Sequence, residues 1–139
     1  MFEVYQSSLI GLWLILVTIM IQAMVAIRVH RAQKGGYTPG VIKPELGQSS
    51  FVFRAHRTFQ NSMENIVPIL GLAFIAIFAG YSAFKLSIIV WVYAIARIAH
   101  MILYYRIATE KNPSPRSIPF IIGFFANFYL MIDLGIFLL

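Results

Sequence analysis

The chain has 139 residues, of which 60% are hydrophobic and 12% charged, about half the roughly 25% charged content of a soluble domain. With a mean hydropathy of +0.79 it reads as a single membrane domain. It contains no cysteine, which excludes disulfides, a protein thiolate nucleophile and cysteine-ligated metal. Eleven Lys/Arg against five Asp/Glu leave a net charge of +6, which in so apolar a chain reflects topology and anionic ligands rather than nucleic acid.

The first apolar block, Ser8 to Ile27, carries no charge. It is long enough to cross a hydrocarbon core of roughly 30 Å at about 1.5 Å per residue. The only charge before it is Glu3, where a secretory leader would be basic, so the block reads as a span and not a leader. A second block is apolar from Ile66 to Gly80, and its polar approach from Phe51 has helical spacing. The third runs from about Leu86 to Tyr105 and the fourth from Ile118 to Leu139. Membrane β-strands would be about ten residues long with strict alternation, so the expected fold is an all-α, four-helix transmembrane bundle, with helices over about 8–30, 51–80, 86–106 and 116–139.

The connections differ in kind. Residues 80–85 form a tight turn, whereas the first connection holds Gly35, Gly36, Pro39, Gly40, Pro44 and Gly47 and is a true loop. In the third, Pro113 and Pro115 stop one helix and stiffen the start of the next. The first and third connections and their margins carry Arg28, Arg31, Lys34, Lys43, Arg54, Arg57, Arg106, Lys111 and Arg116, against Lys85 alone at the other end. The positive-inside rule puts loops 28–50 and 106–117 in the cytoplasm and both termini opposite.

Ionisable residues inside a span cost a few kcal/mol or more and are functional candidates by default. Arg54, Arg57, Asn61 and Glu64 follow one another at spacings of three, four and three, which places them in one stripe on a helix. That stripe is either one wall of a ligand site or a snorkelling arginine with an intrahelical Arg–Glu pair. Arg97, His100 and Tyr104 repeat the spacing on the third span. Arg97 lies too deep to snorkel easily and calls for a partner; Glu64 is the expected one. His100 alone reads as a packing residue, and Tyr104 suits an interfacial aromatic belt as well as a site. Arg116 and Ser117 open the fourth helix, where free N–H groups and an adjacent cation make either an anion site or a positive-inside anchor. Arg28 and Arg31 close the first helix and read first as anchors. Asp133, near the outer end, is expected to be solvated. Arginines at one end of all four helices, with hydroxyls, an amide and a carboxylate, suit a small flexible anion bearing more than one carboxylate. No metal site is expected.

The segments NSMENIVPILGLAF, ARIAHMILYY and PSPRS resemble the second-helix, third-helix and fourth-helix-start signatures of the MAPEG family, the membrane-associated proteins of eicosanoid and glutathione metabolism, in its microsomal glutathione transferase branch. The Asn61-x-x-Glu64 frame aligns Arg57, and not Arg54, with the family's first glutathione-binding arginine. The resemblance implies a homotrimer with glutathione bound between subunits and a lipophilic substrate entering from the bilayer. It assigns Arg57, Asn61, Glu64, His100 and Tyr104 to glutathione, with Arg97 in support. Arg28 of a neighbouring subunit (or Arg31) would take a carboxylate, and Arg116 with Ser117 would lie at the sulfur. Gln60 stands where some eicosanoid-making members have another arginine, and Phe120 replaces a tyrosine, which speaks against a prostaglandin or leukotriene synthase. The implied activity is a glutathione transferase, with peroxidase activity as a variant. A lipid-binding scaffold without catalysis is the alternative. A small multidrug exporter built around Glu64 is a third, disfavoured by the arginine-rich stripe around that carboxylate.

Overall fold

A computed structural model describes residues 2–139 and contains four helices: α1 (Phe2–Arg31), α2 (Phe51–Phe78), α3 (Ala83–Arg106) and α4 (Ser117–Leu138). Each is long and apolar enough to cross a membrane. Their 22 to 30 residues correspond to about 33–45 Å at 1.5 Å per residue. No strand occurs among the described residues. The spacing-based reading of α2 holds: the helix begins at Phe51, well before its apolar run. Pro68 lies inside it and withholds a hydrogen bond from the carbonyl of Glu64, one turn back. α1 starts six residues earlier than expected, because helical backbone needs no apolar side chain. Glu3 in its first turn suits the positive end of the helix dipole, and Tyr5 and Ser8 are buried.

The helices run up and down. Every pair packs together except α1 with α4. Their common core joins Leu12, Ile15 and Ile19 of α1 to Ile66, Ile69 and Ala73 of α2, Leu86, Val90 and Tyr93 of α3, and Leu130 and Leu134 of α4. α1 and α3 approach closely at Gly11, where a Cβ would stand 2.6 Å from Cγ1 of Val90. Small residues permit such close backbone approach in membranes.

At one end, the α2–α3 turn closes by a Schellman arrangement. Gly80 takes φ 73°, its N–H donates to Ile77 and that of Tyr81 donates to Ala76. Ser82 then caps α3, its side chain accepting from the N–H of Lys85. Tyr5 donates its hydroxyl to the carbonyl of Tyr81, and Tyr81 donates its own to Asp133. Asp133 also pairs with Lys85 at 3.0 Å. Asp133, expected to be solvated, keeps a side chain 23% exposed, and through these bonds it also clasps α4 to α3 and the turn. Lys85, near the start of α3, lies within reach of the acid in a partly exposed pair.

At the other end the two long connections meet. Arg54, 8% exposed, donates Nη1 to the carbonyls of Gln48 (2.6 Å) and Ser49 (3.0 Å) and Nη2 to that of Tyr105. It fastens the end of the first connection to the end of α3.

Candidate functional site

α3 delivers Arg97, His100 and Tyr104 to one face by their three- and four-residue spacing. α2 delivers Asn61 from across the bundle, and the start of α4 delivers Arg116 and Ser117. Asn61, His100, Tyr104, Arg116 and Ser117 all line one cleft of about 320 Å³, near the lower end of the roughly 300–1,000 Å³ typical of small-ligand sites. The rest of its wall comes from the 107–116 connection, with Phe120 on α4 and Gln48 from the connection after α1.

Arg116 is 7% exposed, and its guanidinium lies 4.2 Å from the centre of the Tyr104 ring, a cation–π distance. Nη2 donates to the carbonyl of Thr109 (2.7 Å); Nη1 donates to Oε1 of Gln48 (2.8 Å) and the carbonyl of Ile107 (3.3 Å); Nε donates to Oγ of Ser114 (3.4 Å). A guanidinium has five N–H groups, so four are held by protein and one Nη2 hydrogen remains. The partners are neutral oxygens, so the positive charge is fixed in place without being cancelled. Ser117 turns its Oγ toward the backbone N–H of Ser114 at 3.3 Å, which tightens the bend at the head of α4. His100 is 4% exposed and lies between the rings of Tyr104 and Phe120, with centroids 5.3 and 6.1 Å away. Its Nδ1 has no hydrogen-bond partner.

The Arg97–Glu64 pair expected from the sequence does not form. Arg97 donates Nη2 to Oδ1 of Asn61 (2.7 Å) and Oγ of Ser62 (3.0 Å). Glu64 instead faces Arg57 on its own helix at 3.5 Å. The reason is angular. Asn61 and Glu64 are three residues apart, about 300° of helical rotation, and the 60° between them takes Glu64 off the face that meets α3. Its side chain is 58% exposed and that of Arg57 38%. Arg57, Glu64 and Arg28 therefore do not line the cleft of the single chain, and Arg28 is exposed. Arg54 carries backbone carbonyls as described, which leaves Arg57 as the more accessible arginine of the stripe. Gln48, Thr109 and Ser114 escaped sequence reasoning: they lie in connections without helical period, and nothing in their spacing marks them.

A bundle of four membrane-length helices, with a buried arginine and a polar cleft at one end, defines a small multi-pass integral membrane protein. The sequence model of the MAPEG family matches residues 7–136, and the chain belongs to the MAPEG family. No curated protein matches it.

Proposed function

We propose that this protein is a membrane glutathione transferase that ionises glutathione and conjugates it to lipophilic electrophiles. The observation that carries the reading is the convergence of Arg116 and Ser117 with Asn61, His100 and Tyr104 on one cleft. A thiol with a pKa near 8.5 is mostly protonated at neutral pH, and the thiolate is the nucleophile. A fixed, uncancelled guanidinium beside the sulfur favours the charged form. The thiolate then attacks the electrophilic carbon, forming a C–S bond as the leaving group departs with the bonding electrons. Proximity and preorganised charge supply the acceleration. The same thiolate suits reduction of lipid hydroperoxides.

Arg57 and Glu64 would hold the charged ends of the tripeptide, a carboxylate and the ammonium respectively, and Arg28 of a neighbouring subunit the second carboxylate. Their position outside the cleft of one chain supports a site completed in a homotrimer. The electrophile enters from the bilayer, and the cleft end faces the cytoplasm.

A non-catalytic lipid-binding scaffold is favoured by one observation: Arg116 already has four protein-held N–H groups, as a purely structural arginine would. Calorimetry with glutathione on detergent-purified protein, beside conjugation of a generic aryl halide, separates the two. Binding with turnover supports the transferase, and binding without turnover supports the scaffold. No binding at millimolar glutathione sinks the transferase. Arg116→Ala is expected to lose thiolate formation, read by ultraviolet absorbance, far more than glutathione affinity. A collapse of affinity with thiolate retained would mean that Arg116 holds a carboxylate instead.

A further inference from the structure

Gln48 belongs to no motif, yet it joins two polar side chains that line the cleft. Its Oε1 accepts from Nη1 of Arg116 at 2.8 Å, and its Nε2 donates to Oη of Tyr104 at 3.1 Å. Its backbone is held on both sides. The N–H donates to Oε1 of Glu110 at 2.9 Å, and the carbonyl accepts from the buried Arg54 at 2.6 Å. The seam is tight, since a Cβ on the preceding Gly47 would stand 3.2 Å from the same Glu110 oxygen.

Chemistry fixes the direction of this chain of hydrogen bonds. A guanidinium has donors only, so the amide oxygen must face Arg116 and the amide nitrogen must face Tyr104. An amide nitrogen also only donates, so Tyr104 accepts there. Its single hydroxyl proton is left free to donate elsewhere, and Tyr104 is one of the residues that line the cleft.

We propose that Gln48 is a positioning residue: it holds the Arg116 guanidinium over the Tyr104 ring and turns the Tyr104 hydroxyl into a donor toward an anion in the cleft. The inference rests on the glutathione reading above, in which that anion is the thiolate. Cation, amide and phenol then polarise one another in the same sense, and an O–H donated to sulfur stabilises its charged form. The other titratable groups facing the cleft are His100, Glu110 and Lys111; Glu110 is drawn toward the backbone of Gln48.

The test uses the full chain in detergent. Gln48→Leu removes both bonds. Gln48→Glu keeps an acceptor for Arg116 but cannot donate to Tyr104, so the phenol turns its proton away from the cleft and the guanidinium charge is partly cancelled. Glutathione affinity is measured by calorimetry, bound thiolate by ultraviolet absorbance across pH, and kcat and KM by aryl-halide conjugation. Both variants are expected to keep wild-type helical circular dichroism and to bind glutathione within about threefold of wild type. In both, kcat falls roughly tenfold at neutral pH with little change in KM. The midpoint of thiolate formation rises by about one pH unit, further in Gln48→Glu. Adding Tyr104→Phe to Gln48→Leu costs little more, because both act through the same hydroxyl.

A wild-type protein that binds and ionises glutathione, with Gln48 variants whose thiolate midpoint is unmoved, overturns this inference alone. So does strict additivity with Tyr104→Phe. A wild-type protein that never binds glutathione overturns the functional reading and this inference with it. Should Gln48→Leu fail to fold, Gln48→Glu and its combination with Tyr104→Phe decide by the same measurements.

Discussion

Arg97 sits 4% exposed in the bundle with two neutral partners, Asn61 and Ser62, while Glu64 forms only a partly exposed pair with Arg57. These two situations carry different energies. An exposed ion pair contributes roughly 0–1 kcal/mol, so Glu64→Gln is expected to leave thermal unfolding in micelles nearly unchanged. Arg97→Met leaves the Asn61 amide oxygen and the Ser62 hydroxyl without their donor, at a cost of about 1–3 kcal/mol. It should lower the melting temperature clearly and loosen Asn61 at the cleft wall. Equal destabilisation by both substitutions would mean that Arg97 and Glu64 are partnered after all.

At the scale of elements, the closeness of α1 to α3 depends on Gly11. A methyl there would overlap Cγ1 of Val90 at 2.6 Å, and Val90 is fully buried with a β-branched side chain that has one strongly preferred helical rotamer. Alanine gains about 1 kcal/mol of helix propensity over glycine, but overpacking costs about 1–3 kcal/mol. Gly11→Ala is therefore expected to destabilise the bundle on balance, measured as a lower melting temperature, and Val90→Ala in the same chain should recover part of the loss. The clasp at that end works differently. Asp133→Asn keeps an acceptor for Tyr81 but loses the charge that holds Lys85, so faster amide exchange is expected near the start of α3 and the end of α4.

At the scale of the whole molecule, α4 buries one stripe, Pro119, Gly123, Leu130 and Leu134, and exposes a broad apolar face including Ile118, Ile122, Phe125, Phe128 and Ile132, as a helix bathed in lipid or covered by another subunit would. The proposed trimer puts Arg28 of one subunit at the site of the next. Arg28→Ala and Arg116→Ala homotrimers should each be nearly inactive, and co-expression of the two should restore part of the conjugating activity through mixed trimers. Recovery absent despite proven mixed assembly would place both arginines in one subunit's site.

Much was legible without coordinates. Long, mainly apolar blocks, the second extended back to Phe51 by its helical spacing, point to four helices, because in lipid the backbone must satisfy its own hydrogen bonds. The charge bias puts both long connections at one end, and they do meet there. The three-and-four spacings put His100 and Tyr104 on one face of α3, since helical period is a local property, but of the α2 stripe only Asn61 lines the same cleft. Which charges meet across helices was decided only by tertiary structure: the rotation of α2 against α3 gave Arg97 to Asn61 and Ser62, and left Glu64 to Arg57. The aperiodic connections were equally silent in sequence. Arg54 and Arg116 find most of their partners among backbone carbonyls of residues 48–49 and 105–109. Backbone groups are the same whatever the residue, so no sequence pattern announces where a loop will present them.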